Sequence, residues 1–237
     1  MLRSGRGFMD GLPPVTKNII IINVLVWLAS ITLPSVLATN FNVSFDLVKL
    51  FGLHYFQAAG FNPIQLVTYI FLHDTSSFAH VFFNMFAVFM FGRTIESTWG
   101  SKRFLIFYMV TGIGAGLMQE LTWFISIYPA AISPDIHLYS EALNAFITVG
   151  ASGAVFGILL AFGMLYPNAP LYMMFIPIPI KAKYFVIFYG VTELFLGVSR
   201  FSGDNIAHFA HLGGMLFGFF LIRYWKNKDK QNGRFFY

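Results

Sequence analysis

Cysteine is absent from this chain of 237 residues, and charge is scarce: Asp, Glu, Lys and Arg together make up 11% of it. Without thiols there is no disulfide, no cysteine nucleophile and no cysteine metal site. The low charge is as restrictive, because a soluble domain carries roughly 25% charged residues. At 57% hydrophobic and 19% aromatic, the chain holds more apolar surface than one soluble core of this size can hide. A bilayer removes the difficulty, since apolar side chains can face outward there. The formal net charge is +5, but the basic residues stand at the ends of apolar runs. That is a signature of membrane orientation, not of nucleic-acid binding. No secretory signal is evident: Arg3, Arg6 and Lys17 precede an apolar run too long for a cleaved leader.

Six apolar segments approach the ~20 residues that a spanning helix needs: about 18–38, 78–94, 104–124, 150–166, 184–198 and 206–225. The expected fold is an all-α polytopic membrane protein, a six-transmembrane-helix bundle over 18–225. A short N-terminal segment, 1–17, precedes it and a tail, 226–237, follows. Between the first two runs, residues 45–56 mix aromatics with isolated charges, as suits a piece lying in the membrane interface. Residues 124–149 hold no Lys or Arg. With six spans, thirteen of the fifteen basic residues fall on the side of both termini, and only Lys49 and Arg200 on the other. Basic residues accumulate in cytoplasmic loops, so both termini are expected in the cytoplasm. The tail run Lys226–Lys230 reads as a stop-transfer anchor. No internal repeat or low-complexity tract is present.

Three clusters carry chemistry. The fourth run opens Gly150-Ala151-Ser152-Gly153-Ala154-Val155-Phe156-Gly157. A serine among small residues at a helix start lies beside N–H groups with no intrahelical partner, where the helix dipole favours negative charge. Those donors suit an oxyanion, although a small-residue cluster also serves close helix packing. In the sixth run, His211, Gly214 and Gly218 fall at i, i+3 and i+7 on one face. A histidine inside a membrane needs a partner. Ser152 is the evident one, with the imidazole as general base. In the second run His80 and Asn84 share a face at i and i+4, a donor pair that could complete an oxyanion hole or fix packing.

These motifs resemble those of the rhomboid family of intramembrane serine proteases: Gly150-Ala151-Ser152-Gly153 is similar to its GxSG motif, Ala210-His211-Leu212-Gly213-Gly214 with Gly218 to its AHxxGxxxG motif, and His80-Val81-Phe82-Phe83-Asn84 to its HxxxN motif. Glu96, Trp99-Gly100 and Arg103-Phe104 resemble the family's turn after the second span, a structural feature. The resemblance runs from about Lys17 to Trp225. It implies Ser152 as nucleophile and His211 as base, and it implies that the Ser152 backbone N–H, His80 and Asn84 bind the oxyanion. It also implies a serine–histidine dyad without an acidic third member, needing no metal or other cofactor. No carboxylate is evidently placed to orient His211. Gly150, Gly153, Phe156, His208 and Gly214 are expected around the pair. Phe156 stands where some relatives have tyrosine. His208, one turn before His211, competes for the base role and is set second because only His211 has glycines at +3 and +7. His73 is given no role.

Glu193 within the fifth run is costly if unpaired; it could be neutralised or face a watery cavity, and a structural part is favoured over the gating role that the resemblance implies, the family's fifth helix being implicated in lateral substrate entry. Glu120 reads as interfacial, and Trp27, Trp123 and Trp225 as interface or packing aromatics. The implied activity is endoproteolysis of transmembrane protein substrates within a lipid bilayer, through an acyl-enzyme, at a site opening to the non-cytoplasmic side of a prokaryotic plasma membrane. The rivals are an inactive rhomboid-like client-binding protein and, with less support, a transporter using its histidines as a proton path.

Overall fold

In a computed structural model, residues 11–173, 176–199 and 207–233 of the chain are described. Among the described residues nine α-helices follow in order: α1 (Pro14–Phe41), α2 (Leu47–Phe51), α3 (Gln65–Thr68), α4 (Phe78–Ala87), α5 (Arg93–Trp99), α6 (Ser101–Ser126), α7 (Ser152–Leu165), α8 (Ala182–Ser199) and α9 (His208–Gln231). A π-helical turn over Val88–Gly92 joins α4 to α5 into one continuous rod. Two small antiparallel ribbons accompany the helices. One pairs β1 (Leu53–His54) with β2 (Ile147–Thr148), and the other pairs β3 (Pro170–Met173) with β4 (Ile176–Lys181).

The protein is an all-α membrane protein. Four helical rods among the described residues are long and apolar enough to cross a bilayer: Pro14–Phe41, Phe78–Trp99, Ser101–Ser126 and Ala182–Ser199. α7 is shorter, at 14 residues, and is enclosed: nine of those residues are buried. α9 carries His208, His211 and a charged last turn, which lower its apolar character. The expected sixth run begins at Ile206, which lies outside the described residues, as do Arg3, Arg6, Arg200 and Arg234 of the charge count. Helix ends depart from the apolar runs for local reasons. Pro13 and Pro14 start α1 early, since proline tolerates the first turn where N–H groups lack carbonyl partners. α9 continues through the charged tail to Gln231.

α6, α7 and α9 form the centre, each packed on the other two, with α8 against α7 and α9 and α1 against α4 and α6. Lipid gives helices no hydrophobic reason to associate, so close packing must come from shape. Small residues supply it. A Cβ placed on Gly153 would lie 2.3 Å from the Cβ of Ala115, and one on Gly214 would lie 1.9 Å from the carbonyl oxygen of Gly153. Outward faces are apolar: Phe83, Ile187, Phe188 and Phe195 are all exposed.

One end of the bundle is fixed by buried charge. The Glu96 carboxylate accepts from the N–H of Val15 and of Thr16, from Thr16 Oγ1 and from Ser101 Oγ, at 2.6–3.0 Å. It thereby caps the start of α1 and ties it to the α5–α6 turn. Arg103 makes a bidentate pair with Asp229, 2.7 Å in each arm, and lies over the Trp225 ring, joining the start of α6 to the end of α9. Trp99 meets Trp225 edge-on beside this pair. The expected structural part of Glu96, Trp99 and Arg103 is what these contacts describe.

Replacing Gly214 with alanine puts a methyl group into the Gly153 carbonyl. Overpacking of this kind costs about 1–3 kcal/mol, so Gly214→Ala should unfold at a lower temperature in detergent than the parent. An unchanged midpoint would refute the close α7–α9 contact.

Candidate active site

The chain reaches Ser152 along a fixed path. β2 pairs with β1 in the register Leu53–Thr148 and His54–Ile147. The N–H of Gly150 then donates to the carbonyl of Tyr69 at 3.0 Å, and the Tyr69 hydroxyl donates to the carbonyl of Gly112 on α6 at 2.6 Å. Gly150 adopts φ +133°, a region that L side chains rarely occupy, and from there the chain turns into α7, whose first residue is Ser152. The first-turn N–H groups of α7 have no intrahelical carbonyl ahead of them, and the positive end of the helix dipole lies at the serine.

His211 comes from the first turn of α9. Its Nε2 is 2.8 Å from Ser152 Oγ. The Phe156 ring, one turn along α7 from Ser152, stacks on the imidazole with centroids 4.4 Å apart and planes 7° from parallel. Phenylalanine therefore holds the ring plane without needing a hydroxyl. Gly153 and Gly214 bring α7 and α9 to the separation at which the two side chains meet.

His80, in the first turn of α4, sits across Gly150: a Cβ there would be 3.0 Å from His80 Nε2 and 3.6 Å from Ser152 Oγ. The ring and the hydroxyl thus converge on one α-carbon. Asn84 is buried one turn below, and its amide donates to the carbonyl of His80 at 2.9 Å. Behind His80 lies His73, fully buried, its ring 5.0 Å from that of His80 and its nitrogens without hydrogen-bond partners among the described residues.

The second histidine turns elsewhere. His208 Nδ1 is 2.7 Å from Glu193 Oε2, and His211 Nδ1 is 2.9 Å from the same oxygen. The sequence reading, which found no carboxylate placed to orient His211, is corrected here: Glu193 on α8 occupies that position. The sequence singles out Glu193 but not its relation to His211, because the two become neighbours only through the packing of α8 on α9. One signal was available. Gly190 and Gly197 stand at i−3 and i+4 from Glu193 and mark that side of α8 as a close-contact face. Gly190 faces Met215, and Gly197 faces His208 and Phe209.

The depth of this cluster can be read from its neighbours. Trp27, residue 14 of the 28 in α1, donates its indole N–H to the carbonyl of Asp74 at 3.2 Å, just ahead of α4. Gly153 abuts Ala115, residue 15 of the 26 in α6. The serine is therefore level with the middle of one long rod, and the entry to α4 with the middle of another. A depression of about 550 Å³, lined by Ser30, Pro34, Asp46, Asp74 and Val149 among others, adjoins the path to Ser152.

The Rhomboid domain family matches residues 61–227. The chain belongs to the rhomboid family. Its relatives include the RHOMBOID-like protein 12, mitochondrial, of Arabidopsis thaliana, 29% identical over 74% of this chain and 47% of that protein. Rhomboid protease GluP of Bacillus subtilis is 33% identical over 66% of this chain and 25% of its own length. Rhomboid protease AarA of Providencia stuartii is 28% identical over 68% and 53%. This rhomboid thus spans about half or less of the length of these relatives. Organellar names among them remove the basis for assigning a prokaryotic plasma membrane; what stands is an integral membrane protein.

The polar wall of this rhomboid depends on a glycine where the chain turns into α7. Gly150→Ala would force a strained φ, costing about 1–3 kcal/mol, and would press on His80. The expected result is a lower unfolding temperature together with displaced His80 ring resonances; an unperturbed His80 spectrum would refute the convergence at Gly150.

Proposed function

We propose that this rhomboid is an intramembrane serine endopeptidase, cutting peptide bonds in or near transmembrane segments of membrane-protein substrates. The observation that carries the reading is the 2.8 Å contact between Ser152 Oγ and His211 Nε2 at the start of α7. Two of the relatives are named rhomboid proteases, which supports it. Ser152 is the nucleophile and His211 its general base. The Oγ–H proton passes to Nε2 as Oγ bonds to the scissile carbonyl carbon, and the proton then goes to the leaving amine as the C–N bond breaks. The developing oxyanion is held by the Ser152 backbone N–H, His80 and Asn84, one amide N–H of Asn84 also reaching the His80 carbonyl. Water then hydrolyses the acyl-enzyme by the reverse proton path.

The placement of α7 and α9 within the bundle supports counting both as spans, for six over 18–225, with 1–17 and 226–237 as flanking segments. On that count both termini are cytoplasmic, and Ser152, His80 and His211, at the starts of alternate spans, open toward the opposite side. A scissile bond inside a helix is shielded by its own hydrogen bonds, so the substrate class is a transmembrane helix with residues that let it unravel locally.

The nucleophile is tested with a serine-directed fluorophosphonate on the purified full chain in detergent. The wild type should be labelled, Ser152→Ala should not, and His211→Ala should be slowed by on the order of 10³-fold or more. Equal labelling of wild type and Ser152→Ala would remove the proposal. Orientation is tested separately, using the absence of native cysteine. In intact expressing cells, a Lys49→Cys protein should react with an impermeant maleimide and a Lys226→Cys protein only after permeabilisation. The opposite pattern would invert the topology.

A further inference from the structure

Glu193 is buried within a membrane-spanning helix, at 8% exposure, and one of its oxygens contacts two imidazoles. That geometry restricts where the hydrogens are. A carboxylate only accepts hydrogen bonds, so each Nδ1 facing it must carry one. A carboxylic acid protonated at Oε2 could donate to one ring at most, and the other would still have to donate. A metal shared by the three groups is disfavoured by the same distances. Imidazole nitrogen and carboxylate oxygen bound tetrahedrally at 2.0–2.1 Å from one zinc ion would stand roughly 3.3 Å apart, whereas here they are at 2.7 and 2.9 Å, hydrogen-bond separations.

We propose that Glu193 is a positioning residue for the Ser152–His211 pair: a carboxylate delivered by α8 that holds His211 as its Nδ1–H tautomer and lies against the positive charge the ring gains during acyl transfer. The inference rests on the serine-peptidase reading above. With hydrogen on Nδ1, the neutral ring presents a bare Nε2 lone pair to Ser152 Oγ at 2.8 Å, the form a general base requires. The opposite tautomer would present N–H to the hydroxyl and could not take its proton. Phe156 fixes the plane of the ring by stacking and Glu193 fixes its rotation within that plane. When the serine proton moves to Nε2, His211 becomes a cation 2.9 Å from the carboxylate. An unpaired cation at that depth would be strongly disfavoured. The proton leaves Nε2 for the amine in the next step, and Glu193 remains ionised throughout. His208 supplies the second hydrogen bond to the same oxygen and so helps to keep a buried charge solvated by the protein.

The test uses the full chain in detergent and the fluorophosphonate probe, with saturating labelling rate and half-saturating probe concentration measured separately. Glu193→Gln keeps the shape and removes the charge; its saturating rate should fall by on the order of 10²-fold or more with the half-saturating concentration unchanged. Glu193→Asp restores the charge with a shorter reach and should lie between Gln and wild type. A Gln variant at the wild-type rate, or an Asp variant no better than Gln, overturns the proposal. Ser152→Ala measured alongside separates the two ideas. Labelling of that variant defeats the peptidase reading itself, whereas no labelling of it together with a fast Glu193→Gln defeats only the role of Glu193. Should Glu193→Gln fail to fold, the wild type decides. ¹⁵N-histidine spectra, assigned with His208→Gln and His211→Gln, should show His211 protonated at Nδ1 in its neutral form. An Nε2–H signal for His211 would overturn the assignment.

Discussion

Where α9 crosses α7, the α-carbon of Gly214 faces the carbonyl of Gly153 with no room for a methyl group. This contact sets the distance between two helices whose side chains meet at Ser152 and His211. Ser152 is the neighbour of Gly153, and His211 lies one turn before Gly214, so the separation of the two backbones passes almost directly to the 2.8 Å contact between their side chains. Lipid cannot squeeze helices together by excluding water. The site therefore depends on surfaces flat enough to approach, and α6 contributes the third such surface where Ala115 meets Gly153 and Thr111 meets Gly157. Any side chain larger than hydrogen at Gly153 or Gly214 would part Ser152 from His211 before touching either.

The parts of the site that could be read from the sequence are those set by one helix. His211 with glycines at +3 and +7, Ser152 at a helix start, and His80 a turn from Asn84 all follow from a repeat of 3.6 residues. So do the apolar rods, because composition alone separates lipid-facing from water-facing segments. What stayed hidden was set between elements. Glu193 bears on His211 only because α8 packs beside α9, and an acidic residue in an apolar run looks the same whether it caps, neutralises or orients. The β1–β2 ribbon that guides the chain to Gly150 joins residues more than ninety positions apart and involves only two residues in each strand, too short to leave an alternating pattern. Asn84 illustrates the converse: its helical spacing from His80 is as expected, and one of its two amide N–H donors goes to the helix's own backbone.

Among the described residues three buried carboxylates, Glu96, Asp229 and Glu193, share one solution to an electrostatic problem. An isolated carboxylate in low dielectric is untenable, so each is surrounded by donors. Glu96 takes backbone and hydroxyl hydrogens at the foot of α1, and Asp229 takes a guanidinium fork. Both sets of donors are locked in place and have no further use for a proton. Glu193 is different in kind, because its donors are imidazoles, groups that can take up and release a proton. One of those rings also touches a hydroxyl on its far side. The first two carboxylates fasten helix ends together, while the third is joined through a titratable ring to the serine.

The location of the cluster follows from the same economy of polar groups. Ser152 is level with the middle of α6, and the approach to α4 is level with the middle of α1. At such a depth an extended backbone is tolerated only where protein satisfies its hydrogen bonds, and the chain leading to Ser152 finds such partners in β1, Tyr69 and the first turn of α7. On the proposed reading, a substrate segment that unravels beside Ser152 faces the same requirement. It would exchange its helical hydrogen bonds for donors already fixed at the serine N–H and at His80. The arrangement that lets this rhomboid hold irregular backbone inside the membrane is then also what would make the site receptive to the irregular backbone of another protein.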